Sequence, residues 1–250
     1  MKFLYLLIIF ITITLFFTPK RKIVLPIQEI NQKKYSQNKW ISFVCNELKV
    51  NFRQNIPISI NGKIFYEDGR FRLIASSFFS KELDIGINNQ KLWYWSKRSR
   101  PHAIYYSDIS KLKNTKLKSA LNPEWIVISL CLPKEIKNVT EKYEMVSGTM
   151  YLSKHENHIE DMIIATLVDR STDEIKGNYL YSKNGKIVAS SEVYSRQLIN
   201  GISIPKKLHI IWYEEGIVMD WDLSGVSLNS TINQAAWIMP NIIPSIDIGK

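Results

Sequence analysis

Along most of its length the chain alternates apolar and polar residues with a period of two, the spacing that sends successive side chains to opposite faces of a β-strand. Leu83-Asp84-Ile85-Gly86-Ile87-Asn88 is one such run and Met219-Asp220-Trp221-Asp222-Leu223 is another. The pattern predicts strands at about 40–53, 58–66, 70–77, 82–88, 92–96 and 103–106, and a second set near 143–153, 162–169, 177–182, 187–196, 203–213 and 216–228. Turn pairs lie between them at hairpin spacing, among them Asn61-Gly62, Asp68-Gly69, Asn184-Gly185, Asn200-Gly201 and Glu215-Gly216, so consecutive strands are expected to pair antiparallel. Helical spacing is confined to about 27–37, to a segment near 123–131 that Asn122 is placed to cap, and to 231–237. Residues 107–119 and 133–140 carry no strong pattern.

A dozen antiparallel strands with two or three short helices cannot bury both faces of a flat sheet. The expected fold class is therefore mainly β (α+β): a highly curved antiparallel sheet that forms an incomplete β-barrel, with short helices plugging the open side. Composition supports this, since 250 residues with 45% hydrophobic and 12% aromatic content can fill one large core. Two cysteines allow one bridge at most, which excludes a disulfide-stapled scaffold. Cys45 on the first strand and Cys131 at the end of the capped helix read as two buried thiols, with a disulfide as the alternative.

The extreme N-terminus departs from the pattern. Residues 3–17 read FLYLLIIFITITLFF, without charge, and Thr18-Pro19 ends the run before Lys20-Arg21-Lys22. As a helix it would span roughly 23 Å, short for a bilayer core of about 30 Å but long for a signal-peptide core. No small-x-small cleavage site and no nearby cysteine follow it, so it reads as an uncleaved anchor, with a removed signal peptide as the alternative. The organisation expected is a hydrophobic signal/anchor segment at 1–22, a linker and short helix at 23–39, a half-barrel domain at 40–240 and a tail at 241–250.

The net charge of +10 invites a nucleic-acid reading until it is located. Residues 1–22 hold +4, and 97–118 hold +6, from Lys97, Arg98, Arg100, Lys111, Lys113, Lys116 and Lys118 against Asp108 alone. The rest of the chain is neutral. Nucleic acid demands a broader basic face, so no nucleic-acid partner is expected.

Several phrases, in order, resemble the bacterial outer-membrane lipoprotein carrier and receptor proteins, the LolA/LolB-like superfamily. Gly62-Lys63-Ile64-Phe65-Tyr66 followed by Gly69-Arg70-Phe71-Arg72-Leu73 looks like that family's first hairpin. Leu83-Asp84-Ile85-Gly86-Ile87-Asn88 with Leu92-Trp93-Tyr94-Trp95-Ser96 looks like its next. Asn122-Pro123-Glu124-Trp125 resembles the start of a helix, and Asn200-Gly201-Ile202-Ser203-Ile204-Pro205 with Val226-Ser227-Leu228-Asn229 the closing strands. Together these cover roughly residues 40–240.

The resemblance implies a non-catalytic protein of the bacterial cell envelope, facing the periplasm, that holds acyl chains of a lipid or lipoprotein in a hydrophobic half-barrel cavity. A monomer without cofactor or metal is expected. Phe71, Leu73, Leu83, Ile85, Trp93, Trp95, Met219 and Trp221 are the candidate cavity wall. The seven bases of 97–118 lie near where the family keeps its lid and are candidates for contact with an anionic membrane surface. In the classical carriers a basic residue on the first hairpin latches the lid; here that turn reads Glu67-Asp68-Gly69, and Arg70 and Arg72 beyond it are read as solvated strand residues. A non-catalytic scaffolding module that docks another protein on the curved sheet is the alternative function.

Other chemistry is thin. His155-Glu156-Asn157-His158 with Glu160 and Asp161 lies between two strands and reads as a polar loop, not a metal site. Asp220 and Asp222 share a strand face and read as a solvated outer face instead of an acid/base pair. No nucleophile elbow, phosphate loop or zinc-spaced cysteine pair occurs.

Overall fold

The computed structural model describes residues 41–53, 58–67, 69–77, 80–114, 122–133, 136–155 and 162–249. The expectations for the N-terminal segment, the helix at 27–37 and the 156–161 part of the histidine cluster lie outside the described residues. Within them the chain forms one curved, unclosed sheet of fourteen strands. β1 (Ser42–Phe52), β2 (Ile58–Glu67), β3 (Arg70–Ser76), β4 (Lys81–Ile87), β5 (Lys91–Ser96) and β6 (Ile104–Asp108) make a first antiparallel meander. β7 (Val139–Met145), β8 (Gly148–His155), β9 (Met162–Val168), β10 (Ile175–Ser182), β11 (Ile187–Ile199), β12 (Ile202–Trp212) and β13 (Ile217–Leu228) make a second. Antiparallel pairing of β1 with β13 joins the two at the centre of the sheet.

This order leaves β6 and β7 on opposite edges, so the connection between them must cross the concavity. It begins as a 3-10 turn (Ile109–Asn114) and ends in α1 (Pro123–Ser129), which packs against β3 and β4 of one meander and β10 of the other. Asn122 caps α1 as expected, its Oδ1 accepting from the Glu124 N–H at 3.0 Å, and Pro123 occupies the first turn where its missing N–H costs nothing. The inner faces of both meanders and the apolar side of α1 form one core, with Phe43, Leu48, Ile64, Leu180 and Ile204 fully buried.

Three elements differ from expectation. The single strand expected at 143–153 is a hairpin, β7–β8, because the chain reverses at Val146-Ser147. Gly148 follows at φ 149°, and a Cβ there would collide with the Val168 carbonyl oxygen. The turn lacks the Asn-Gly signature seen at Asn200-Gly201, where both residues adopt left-handed conformations. The segment at 231–237 forms only a 3-10 turn (Gln234–Trp237), and it lies on the outer face, not in the opening. The supposed tail is structured: β14 (Ser245–Asp247) pairs in parallel with β6 and covers that edge, while edge strand β7 exposes Thr140, Glu141 and Lys142, side chains that discourage further pairing.

Candidate functional site

The core is incompletely filled at one end of the half-barrel. A cavity of about 120 Å3 lies between α1 and the ends of the strands. Its wall takes Val50 and Phe52 from β1, Ile60 from β2, Leu73 and Ala75 from β3, and Leu83 and Ile85 from β4. Ile210 and Trp212 of β12 and Ile217, Met219 and Trp221 of β13 complete the sheet side, and Ile126 and Ser129 of α1 cover it. Register explains the convergence: Leu73 faces Ile85, Ala75 faces Leu83, Phe52 faces Met219 and Trp212 faces Ile217, so each pair presents its side chains to the same interior. The volume is of the order of the ~150 Å3 apolar cavities that stay dry and accept benzene-sized guests.

α1 is held over this space at both ends. Trp125 stacks on Trp212 with centroids 5.9 Å apart and planes at 7°. At the other end a buried polar network grips the helix: Asn178 Nδ2 donates to the Ile128 carbonyl at 2.8 Å and reaches Cys131 Sγ at 3.4 Å. Thr166 Oγ1 donates to Asn178 Oδ1 at 2.8 Å, and Cys131 Sγ lies 3.2 Å from Ser191 Oγ. Neither cysteine is in a disulfide and both are buried, which removes the disulfide alternative. Burial pushes the Cys45 thiol up to about 11, so it stays protonated.

No protein-family model and no curated protein sequence matches the chain. Solved structures do. A domain assigned to outer membrane lipoprotein sorting from Vibrio parahaemolyticus is similar over 82% of this chain and 93% of its own, with a TM-score of 0.56 and 5% identity. A LolA superfamily protein from Nitrosomonas europaea covers 84% of this chain over 99% of its own length, with a TM-score of 0.57 and 9% identity. A DUF1329 family protein from Desulfovibrio piger matches at 82% and 93%, with a TM-score of 0.56 and 10% identity. The chain has the LolA-like fold.

In this LolA-like half-barrel five of the eight candidate wall residues, Leu73, Leu83, Ile85, Met219 and Trp221, line the cavity. Phe71 is buried in the core beyond it. Trp93 and Trp95 are elsewhere: they pair with Gly86 and Asp84, which puts them on the outer face, in a cluster with Ile104, Met239 and Ile242. Sequence reasoning assigned them to the wall because the Leu83 and Trp93 patterns were phased independently. Only the register reveals that Tyr94, not the tryptophans, faces Ile85. Of the wall residues it missed, Val50, Phe52, Ile210 and Trp212 follow from strand alternation, whereas Ile126 and Ser129 could not be placed without the crossing of α1.

The outer face carries its own chemistry. Arg72 is buried and Arg70 half-buried, and both are held by partners. Arg72 donates to Asp84 from Nε at 3.1 Å and Nη2 at 2.8 Å and, through Nη1, to the carbonyls of Ala235 and Ala236; Arg70 pairs with Glu67 and lies over Trp237. What they hold is the C-terminal segment, on the side away from α1. Asp220 and Asp222 are likewise paired. Asp220 bonds His209 Nδ1 at 2.9 Å and Arg53 at 2.5 Å, and Asp222 bonds Lys206 at 2.6 Å.

The described members of the basic set do not form one patch. Lys97, Arg98 and Arg100 occupy the β5–β6 turn, at the cavity end, where Ser96 pairs with Leu83. Lys111 follows β6, beyond Asp108, which pairs with Lys91 at the far end of β5. Five residues at about 3.3 Å each separate the two ends by roughly 16 Å. Lys97 and Arg98 also pair with Glu82, at 3.6 and 3.8 Å, and the carboxyl of Glu82 is held below its usual range, chiefly by the Ser77 hydroxyl. The side chain of Lys113 and all of Lys116 and Lys118 lie outside the described residues.

Proposed function

We propose that the chain is a non-catalytic binding protein of the bacterial envelope that receives the acyl portion of a lipid or lipoprotein between α1 and the curved sheet. The observation that carries this reading is the apolar, underfilled space under the crossing helix α1. It is supported by the LolA-like fold, one of whose solved examples is assigned to lipoprotein sorting. Each methylene that enters such a space gains about 0.8 kcal/mol. A cavity of about 120 Å3 holds only a short stretch of chain, so longer chains require α1 to lift from the strand ends. Lys97, Arg98 and Arg100 at the cavity end are suited to meet an anionic membrane surface while the ligand passes, and residues 3–17 keep the domain close to a bilayer.

The test is saturable binding of a fluorescent fatty acid by the delipidated full chain. Ala75, buried in the cavity wall, gives the control: Ala75→Leu fills the space and is expected to weaken binding about tenfold or more, since several methylenes of ligand are displaced. Absence of saturable binding to the unmutated chain overturns the proposal.

A further inference from the structure

The wall of the cavity is apolar except for Ser129, and that exception is part of a row. Asn122, Trp125 and Ser129 stand at i, i+3 and i+7, so they lie along one side of α1. All three are at most 2% exposed. In each a hydrogen-bond donor has no partner among the described residues: Asn122 Nδ2, Trp125 Nε1 and Ser129 Oγ. Ser129 lines the cavity, and the Trp125 ring is stacked on Trp212, which lines it too. Buried donors are nearly always satisfied; two other exceptions, Trp95 Nε1 and Trp237 Nε1, lie apart on the outer face, whereas these three fall together along α1 and its cap and require an explanation. Asn122 is kept by its cap, in which Oδ1 accepts from the Glu124 N–H, but folding gains nothing from the free donors of Trp125 and Ser129: an apolar side chain of similar shape there would avoid the cost of stripping water from an unpaired group.

The three groups also share a sign. An indole N–H only donates, the free part of Asn122 is its amide N–H2, and the Ser129 hydroxyl has a proton to give. What matches them is an acceptor carried within an otherwise apolar molecule. We infer that the ligand of this cavity bears an acyl carbonyl, as an ester or amide, and that α1 reads that oxygen through Ser129 Oγ–H and Trp125 Nε1–H. This rests on the acyl-binding reading and adds a polar selection to it: the site distinguishes an acylated molecule from a hydrocarbon or ether of the same size.

A pair of small probes tests this directly. Methyl butanoate and butyl methyl ether differ by a carbonyl in place of a methylene, and both approach the size of the cavity. Transfer from water favours the ether, because the carbonyl must be desolvated. A preference for the ester therefore demands donors inside. The full chain, delipidated, is expected to bind the ester about tenfold more tightly than the ether, one well-made hydrogen bond's worth. The Trp125 indole N–H resonance should move downfield with the ester and not with the ether. Ser129→Ala, which removes one oxygen, and Trp125→Phe, which keeps a ring on Trp212, should each erase most of the ester-over-ether ratio. Equal or better binding of the ether overturns the inference and leaves the acyl-binding reading standing. If neither probe binds saturably while the fluorescent fatty acid does, the inference falls alone; if none of the three binds, both fall.

Discussion

Asp84 offers the sharpest test of how the outer face is built. Its carboxylate is fully buried, and it accepts hydrogen bonds from Arg72 Nε and Nη2, from Trp93 Nε1 at 3.0 Å and from Lys81 Nζ at 3.0 Å. Arg72 is itself only 9% exposed. Asp84→Ala leaves a guanidinium with no counter-charge in a low-dielectric site and an indole N–H without a partner, whereas Lys81, 38% exposed, can turn to water. Breaking a buried pair in this way costs about 3–5 kcal/mol. For a domain of this size that corresponds to a fall in Tm of roughly 6–20 °C. Arg72 also holds the Ala235 and Ala236 carbonyls, so the loss should reach the C-terminal segment. Exchange of the Ile248 N–H, which donates to the Tyr106 carbonyl, is expected to accelerate in the variant even below its Tm. The double variant Arg72→Met with Asp84→Leu removes both charges and should recover most of the stability, because a well-packed apolar pair is about as good as a buried ion pair. Urea unfolding measures all three proteins. A loss below about 1 kcal/mol for Asp84→Ala, or a double variant as damaged as the single one, refutes the reasoning.

Gly86 sits under Trp93, and a Cβ at that position would overlap the indole's six-membered ring, so Gly86→Ala should cost about 1–3 kcal/mol by urea unfolding; an unchanged midpoint would show that Trp93 is not fixed there. Burial raises the Asp220 carboxyl, but hydrogen bonds from His209 and Arg53 outweigh it and hold the group below its ordinary 3.8. A depressed folded pKa adds stability that is fully present above the unfolded value and is lost as pH falls through the folded one. Asp220→Asn should therefore be less stable than the unmutated chain at pH 6, and the gap should close as pH drops below about 4; a gap independent of pH contradicts the assignment. Replacing Lys97, Arg98 and Arg100 by glutamine should weaken sedimentation of the chain with anionic vesicles and leave fatty-acid affinity within about twofold, each base near such a surface contributing about 1 kcal/mol; unchanged sedimentation shows that these residues do not contact lipid.

The fold was legible because strand alternation and turn chemistry are local. Leu83-Asp84-Ile85-Gly86-Ile87 declares two faces on its own, and Asn200-Gly201 declares its hairpin. Where a turn is built by a less distinctive residue, as at Val146-Ser147, the hairpin was read as one long strand. The tail at 241–250 was missed for a different reason: β14 has three residues and gains its place only from the β6 edge it covers, and no local pattern encodes an edge.

The site was less legible, because which face is interior depends on register between strands that each look two-sided. Asp84 and Gly86 stand on the face of their strand opposite Leu83 and Ile85; in the folded chain they carry Arg72, Trp93 and the C-terminal segment, and the tryptophans that looked like a cavity wall are the cover of that second layer. The same register that moves Trp93 and Trp95 out brings Ala75, Leu83, Phe52 and Met219 together. The space between them stays underfilled because the element above it is a seven-residue helix whose underside is given in part to polar groups. A longer or wholly apolar helix would have closed the core. Donors left unpaired on the one helix that covers an underfilled apolar space are the mark of a surface kept for something else to occupy.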